Sequence, residues 1–291
     1  MTTYNNANTI TILLCIAAIL AIAAVICAIL ESRAEHKSFV TTNYTIQKSE
    51  NSIRIIFLSD LHSCIYGRDN CELINAIRSE KPDLILIGGD MFTGKKGQKT
   101  IIAQSLVKQL PDIAPTYYAL GNHENRARGN PKLKGIDFGA YQKELEKAGV
   151  VFLDNKNAQI QIKDKKISIT GLTITPKTIK QEADAIKKAY LRASGSSTEA
   201  YHILLAHDPS YMTEYLKLNQ KLILCGHLHG GIVRIPKIGG LISSKFRPFP
   251  KYSGGYYHKN DTDIIVSRGL GSHTIHFRLW NRPEMVGIMI N

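Results

Sequence analysis

From Thr9 to Leu30 the chain lacks charge, proline and glycine altogether: "TITILLCIAAILAIAAVICAIL". About 20 such residues at ~1.5 Å rise span the ~30 Å hydrocarbon layer of a bilayer, so the run reads as a transmembrane helix. The leader "MTTYNNAN" contains no Lys or Arg. A cleaved signal peptide, the rival reading, needs a basic leading region and an apolar run of only ~7–15 residues. Basic residues begin after the run, at Arg33, Lys37 and Lys48. Because Lys and Arg tend to stay on the cytoplasmic side, that asymmetry turns the bulk of the protein toward the cytoplasm, with Glu31 and Glu35 as a small counterweight.

Cysteine is scarce and unpatterned. Two of the five, Cys15 and Cys27, lie in the apolar run, which leaves Cys64, Cys71 and Cys225 as an odd set. Such a set argues against a disulfide framework and fits a reducing compartment. There is no internal repeat, no low-complexity tract and no aromatic-rich nucleic-acid motif, so nucleic acid is not an expected partner. What is plentiful is positive charge. All 37 Lys and Arg and all 24 Asp and Glu follow Leu30, so the full +13 formal charge belongs to the part after the helix. That balance favours contact with an anionic surface such as lipid headgroups, an ordinary basic exterior being the plainer alternative.

The 44% apolar content of 291 residues is enough for a substantial core. The expected organisation is a short leader over 1–8, a transmembrane helix over 9–30, a polar tether over 31–51 and one α/β domain over 52–291. Within the domain, short apolar runs end at polar or glycine residues: "IRIIFLSD", "DLILIGGD", "TYYALGNHE", "HILLAHD" and "LILCGHLHG". Runs this short and rich in Ile and Leu suit strands covered on both faces. "CELINAIRSEK" and "TIIAQSLVKQL" between them space apolar residues as amphipathic helices do. The first half therefore reads as βαβ units, whose strands bring their carboxyl ends to one edge. "AQIQIKDKKISITGL" alternates as a hairpin. "EADAIKKAYLRASGSS" reads as a helix running into a flexible stretch, and "TDIIVSRGL" and "MVGIMI" as further strands.

Each run that ends the early strands closes on residue types that bind metal. "SDLH" offers Asp60 and His62, "GGD" Asp90, "GNHE" Asn122 and His123, "AHD" His207, and "GHLHGG" His227 and His229. Residues two apart where a strand turns point to one side, so Asp60 and His62 can grip one ion, as can His227 and His229. Adjacent glycines allow the backbone turns that a Cβ would forbid. Any one piece is common chemistry, since a strand-end Asp often caps a helix and Gly-Gly-Asp is an ordinary turn. Five of them in order, holding half of the ten histidines, are not five accidents.

Together these residues resemble the calcineurin-like metallophosphoesterase family, whose signature runs D-x-H, G-D, G-N-H-[DE], H and G-H-x-H. The likeness extends from about Ile53 to the end. It is nearest to a bacterial membrane-associated branch with a last block G-H-T-H-G-G and a tail of the form "SRGLG…R…RPE"; here the tail is "SRGLGSHTIHFRLWNRPEMVGIMI". Leu228 stands in place of the usual threonine, and Glu124 where aspartate is more frequent.

The resemblance implies an α/β fold, a four-layer αββα sandwich of two mixed sheets. It implies a hydrolase of phosphoester or pyrophosphate bonds that uses a metal-activated hydroxide. One metal would be held by Asp60, His62 and His229, the other by Asn122, His207 and His227, with Asp90 bridging. Manganese is the expected ion, and iron or zinc also suits mixed imidazole and carboxylate ligands; no thiolate pairs mark a structural zinc. His123 would act on the phosphate or protonate the leaving oxygen. Arg268, Arg278, Asn125 and Arg126 are candidates for gripping substrate, with Arg128 behind them. Cys64 reads as a small buried residue, and Gly230 and Gly231 as room for the chain to leave His229 without crowding a phosphate. The membrane helix, basic domain and branch favour an anionic lipid-linked substrate. One enzyme of that branch is the UDP-2,3-diacylglucosamine pyrophosphatase of lipid A biosynthesis. A phosphatase or phosphodiesterase of a different substrate, outside the cytoplasm if the orientation is reversed, is the alternative, and a non-catalytic scaffold comes last.

Overall fold

The structure, a computed structural model, describes residues 2–46, 51–95, 100–129, 136–174, 185–194, 199–235, 238–243, 246, 248–272 and 276–291. The Gly/Ser stretch expected after the helix at 185–193 lies outside them.

Two six-stranded sheets form the centre. The first runs, edge to edge, Val40–Thr45, Glu284–Ile290, Ile53–Leu58, Leu84–Ile87, Thr116–Tyr118 and Val151–Phe152. The last four of these are mutually parallel, and Glu284–Ile290 lies antiparallel to Ile53–Leu58. The second runs Gly255–Lys259, Thr262–Val266, Leu222–Cys225, Tyr201–Ala206, Lys165–Leu172 and Lys156–Ile162, with antiparallel pairs at its two edges.

Alternate side chains of each strand enter different cores, which explains the continuous apolar runs. Ile55, Phe57, Leu84 and Leu86 meet Ile169, Ile203, Leu205 and Leu224 between the sheets. Ile56, Leu58, Ile85 and Ile87 face outward onto the helices Cys71–Ser79, Ile101–Val107 and Phe138–Lys147. Leu204, Ile223, Cys225 and Ile264 face the other way, onto Ala185–Ala193 and Met212–Tyr215. The architecture is the expected four-layer αββα sandwich. Lys156–Ile162 and Lys165–Leu172 form the expected hairpin.

Ahead of the sandwich, one helix covers Thr2–Glu35. Its segment Ile10–Glu35 is long and apolar enough to cross a membrane, and none of that segment's most apolar window is buried by the domain. The tether expected over 31–51 is replaced, over its described part, by ordered structure. Ser32 and Glu35 are buried, with Ser32 Oγ accepting from the Arg278 backbone N–H at 2.9 Å and the Glu35 carboxylate from the Asn281 N–H at 3.0 Å. Val40–Thr45 then pairs parallel with Glu284–Ile290 as an edge strand. A polar sequence such as "VTTNYT" hides this role because an edge strand needs backbone partners on one side only. A protein shortened to begin at Ser52 is expected to melt about 5 °C or more below one beginning at Glu31, since a loss of ~2 kcal/mol moves a domain of this size by that much. Equal melting temperatures would show that the strand adds nothing to stability.

Candidate metal centre

The chemistry gathers where the parallel strands of both sheets end. Asp60 and His62 follow Ile53–Leu58, Asp90 follows Leu84–Ile87, and Asn122 and His123 open the helix Asn122–Gly129 after Thr116–Tyr118. From the second sheet, His207 follows Tyr201–Ala206, and His227 and His229 follow Leu222–Cys225. Cross-strand backbone bonds hold these turns together: Asp60 N–H to Gly89 O at 2.9 Å, His62 N–H to Asp90 O at 3.0 Å, Gly226 N–H to His207 O at 3.0 Å.

Five of these residues adopt left-handed backbone: Asp60 at φ 53°, His62 at 48°, Asp90 at 55°, His227 at 72° and His229 at 51°. Such a conformation is strained by about 1–2 kcal/mol for a residue with a Cβ. Its concentration here marks a site where side-chain direction outweighs backbone comfort. Gly121 makes the approach possible, because a Cβ on it would lie 2.2 Å from Asp90 Oδ1.

The side chains converge in two sets. Asp60 Oδ1 lies 3.5 Å from His229 Nε2 and 3.8 Å from His62 Nε2. Asp90 Oδ2 lies 3.1 Å from His207 Nε2, and these with His227 make the second set. Asp90 Oδ2 also comes within 3.9 Å of His62 Nε2, so it faces both sets. The Asn122 carboxamide donates to His227 Nδ1 at 2.8 Å and to Asp90 Oδ2 at 3.2 Å, which puts a fourth potential ligand residue beside this set. His227 and His229 therefore serve different sets, although their spacing suggested one. The left-handed turn at each points the two rings apart.

Whether an imidazole can ligate depends on which nitrogen carries its proton. His207 Nδ1 sits 2.7 Å from Gly88 O and His229 Nδ1 2.9 Å from Gly271 O. A carbonyl only accepts, so both rings are protonated at Nδ1 and turn Nε2 inward. His227 is the reverse: Nε2 lies 3.6 Å from Asp208 Oδ2, and Nδ1 faces inward. His123 differs from all of them. Its Nδ1 accepts from the Gly94 N–H at 2.8 Å, so a neutral ring carries its proton on Nε2, the atom 4.0 Å from Asp90 Oδ2. As a neutral ring it presents a donor, where neutral His207, His229 and His227 would present lone pairs. Two buried carboxylates, inward imidazole lone pairs and an amide fit divalent cations of borderline character.

Supporting residues to which the sequence assigned no role surround this set. Ser59 Oγ donates to Asp60 Oδ2 at 2.5 Å, and the His227 N–H approaches both Asp60 oxygens. The fully buried Glu124 carboxylate accepts from the N–H groups of Asp90, Met91 and Gly121 and from Tyr118 Oη at 2.7 Å. Burial, reinforced by the Asp90 charge, pushes it up to about 7. Glu124 thus splints the Asp90 loop. Asp208 and Ser59 had a signal, each standing next to a ligand candidate in "AHD" and "SDLH".

Other expected site residues have different work. Arg278 is buried; it donates from Nη2 to Gly271 O at 2.7 Å and from Nε to Ser272 Oγ at 3.0 Å. Arg268 pairs with Glu284 and bonds Thr42 Oγ1, tying the N-terminal strand to the C-terminal one. Both guanidinium groups are engaged by the scaffold, and Arg278 is almost fully buried. The Asn125 amide oxygen accepts from Arg128 Nη2 at 2.6 Å, and Arg128 also pairs with Asp154. Arg126 is exposed, one turn past Asn122 on the same helix face. Gly230 makes room for the scaffold, since a Cβ there would meet Asn281 Oδ1 at 2.2 Å, and Gly231 likewise abuts the backbone at Ile242. Cys64 is half-buried against the helix-side core of the first sheet.

Residues 53–231 match the family described as calcineurin-like phosphoesterase. The chain belongs to that family. It is a phosphoester hydrolase. Phosphodiesterase YaeI of Escherichia coli (strain K12) is 28% identical over 239 residues, 80% of each chain. Metallophosphoesterase YkoQ of Bacillus subtilis is 25% identical over 240 residues, 81% of this chain and 83% of the relative. A transmembrane protein with metallophosphoesterase domain from Danio rerio is 24% identical over 255 residues, 84% of this chain and 54% of that longer one. Among solved structures, phosphopantetheinyl hydrolase (PptH) from Mycobacterium tuberculosis is similar at a TM-score of 0.47 and 12% identity, over 75% of this chain and 89% of its own.

Burial opposes charge on His207, but Asp90 and Asp60 outweigh it and push the metal-free imidazolium up to about 10. At neutral pH a cation entering the second set must displace that proton. Affinity for Mn²⁺ is therefore expected to rise about tenfold per pH unit from pH 6 to 9, with close to one proton released. Titration calorimetry in buffers of different ionisation enthalpy measures this, and uptake without proton release would contradict the His207–Asp90 arrangement.

Proposed function

We propose that the chain is a dinuclear-metal hydrolase that works from a membrane anchor, facing the cytoplasm, on a phosphoester or pyrophosphate bond of a lipid-linked substrate. The observation that carries the metal reading is the convergence of seven ligand candidates, among which His207 and His229 turn Nε2 and His227 turns Nδ1 toward the site. Asp60, His62 and His229 would hold one ion and Asn122, His207 and His227 the other, with Asp90 between them; manganese is our choice of ion. Bound there, two divalent cations supply charge for the phosphoryl oxygens and an activated water.

The chain's own residues do the positioning. Neutral His123 presents Nε2–H toward the site, and burial, with the Arg126 charge adding to it, keeps the ring below its ordinary pKa against the pull of Asp90. A neutral imidazole does not give up its last proton to a leaving group. His123 is therefore a hydrogen-bond donor that orients a phosphoryl or ester oxygen, the first of the two roles open to it. Arg126 stands on the solvent side of the site as the cation that meets substrate phosphate.

Replacing Asn122 or His123 by alanine is expected to cost on the order of 10²-fold in kcat on bis(p-nitrophenyl) phosphate. For His123→Ala the loss should be equal for aryl and alkyl leaving groups; a loss that grows as the leaving group becomes poorer would assign proton donation instead. No loss from either change would sink the enzyme assignment of this site.

The anchor, the +13 charge and the resemblance support UDP-2,3-diacylglucosamine, an intermediate of lipid A biosynthesis, as the specific substrate to test. The E. coli relative's name, a phosphodiesterase, makes simpler phosphodiesters the second set. Full-length protein with Mn²⁺ and the UDP-lipid is expected to release UMP. Hydrolysis of aryl phosphodiesters without UMP release would overturn the substrate and leave the reaction class standing. A reporter active only outside the membrane, fused after Asn291, is expected to stay inactive; activity would reverse the orientation.

A further inference from the structure

We propose that the hairpin Val233–Ile235 and Gly239–Ile242, with the exposed side chains Ile238, Phe246, Phe249 and Trp280, forms a membrane-interface flap that seats the mouth of the metal site on an anionic bilayer surface. The inference rests on the reading of residues 9–30 as a membrane anchor, and it concerns a surface that this reading does not require.

The flap begins at Val233, just past Gly231 where the family match ends. Val233–Ile235 and Gly239–Ile242 form a two-stranded hairpin separate from both sheets. Leu279 flanks it on one side, accepting from the Arg234 N–H at 3.0 Å, and Phe249 on the other, donating its N–H to Leu241 O at 2.8 Å. Trp280, Ile238, Phe246 and Phe249 are thus carried on one small appendage. Among the described residues of the domain, the three most exposed large apolar side chains are Phe246 at 74%, Ile238 at 70% and Phe249 at 66%; Trp280 is 56% exposed. None of these side chains belongs to a core cluster among the described residues.

Charge in the same stretch names the occupant. Residues 236–251 contain Lys237, Lys245, Arg247 and Lys251 and no acidic residue. Aromatic and aliphatic side chains interleaved with Lys and Arg suit the headgroup layer, where apolar groups enter the acyl boundary and cations meet anionic lipid. A protein partner of ordinary composition has no such need for a wholly basic counterpart.

Position agrees with composition. Trp280 immediately precedes Asn281, whose backbone N–H is bound by Glu35 in the last turn of the long helix. Leu30 is the last residue of the uncharged run, so Ser32 to Glu35 mark the level at which the helix leaves the hydrocarbon. Trp280 stands at that level, where tryptophan is enriched. The Asn281 side chain also donates to His229 O at 2.7 Å and Gly231 O at 2.6 Å. One residue therefore joins the end of the anchor, the root of the flap and a ligand candidate, which holds the site at headgroup height without a flexible tether.

Trp280 is the chain's single tryptophan, so its emission reports this surface alone. The probe is the full-length protein reconstituted in vesicles of phosphatidylcholine and phosphatidylglycerol. Lipids spin-labelled near the headgroup are expected to quench Trp280. Acrylamide quenching should be about threefold weaker than in an Ile238→Ser, Phe246→Ser, Phe249→Ser variant, whose unchanged hydrolysis of soluble bis(p-nitrophenyl) phosphate shows that it is folded. If that variant fails to fold, lipid quenching of the unaltered protein decides alone. A chain retained through alkaline carbonate washing whose Trp280 is open to acrylamide and blind to the lipid label overturns the flap and leaves the anchor standing. Release by carbonate overturns the anchor, and the flap with it. Shielding from both quenchers that grows with protein concentration assigns the surface to a second copy of the chain and overturns the proposal.

Discussion

Two carboxylates, Asp60 and Asp90, sit without solvent contact at the seam between the sheets, and most of the local structure follows from the need to compensate them. An uncompensated buried carboxylate costs several kcal/mol. Ser59, the His227 N–H and the His123 N–H each supply one donor, but the oxygens that face inward still face imidazoles. In the metal-free protein a proton on His207 meets part of the demand; burial raises Asp60 all the same, with the Asp90 charge adding to it, while the His207 charge holds Asp90 well below its ordinary range. Divalent cations are the ligands that this charge distribution favours, because they neutralise both carboxylates and use the inward lone pairs together.

That demand explains the backbone. Left-handed turns at five ligand candidates, close glycine contact at Gly121 and a buried Glu124 splint are each unfavourable alone. They persist because loops from both sheets bond to one another and leave no alternative path. The same bonds choose tautomers: carbonyls of Gly88 and Gly271 set two rings one way, and the Gly94 N–H sets His123 the other. Division of labour among the histidines is thus written in main-chain groups, which is why residue type alone could not assign it.

The sheets were legible because their strands are buried on both faces and read as unbroken Ile and Leu. The site was legible as far as its residues end such strands. What escaped was decided by partners distant in sequence. Arg268 and Arg278 look like phosphate ligands until Glu284, Ser272 and the Gly271 carbonyl occupy them. "VTTNYT" looks like tether until Glu284–Ile290 offers it an edge. Glu124 stood in view inside "GNHE", but its function lies in bonds to a loop more than thirty positions earlier.

The consequence for function lies in how the N-terminal helix meets the domain. Ser32 binds the Arg278 N–H, Arg278 reaches the Gly271 carbonyl, and that carbonyl also receives His229 Nδ1–H. Glu35 binds the Asn281 N–H, and the Asn281 side chain reaches the His229 carbonyl. Two separate chains of hydrogen bonds therefore run from the last turn of the helix to one residue, the first fixing the tautomer of its ring and the second its backbone. Buried links of this kind tolerate little slack, since each group left unpaired would cost about 1–3 kcal/mol. A helix that only tethered its domain would have no reason to end in buried Ser and Glu side chains. Here the element that reads as a membrane anchor is bonded to the residues that hold His229, Arg278 and Asn281, so the same few contacts tie the domain to the helix and brace that ring.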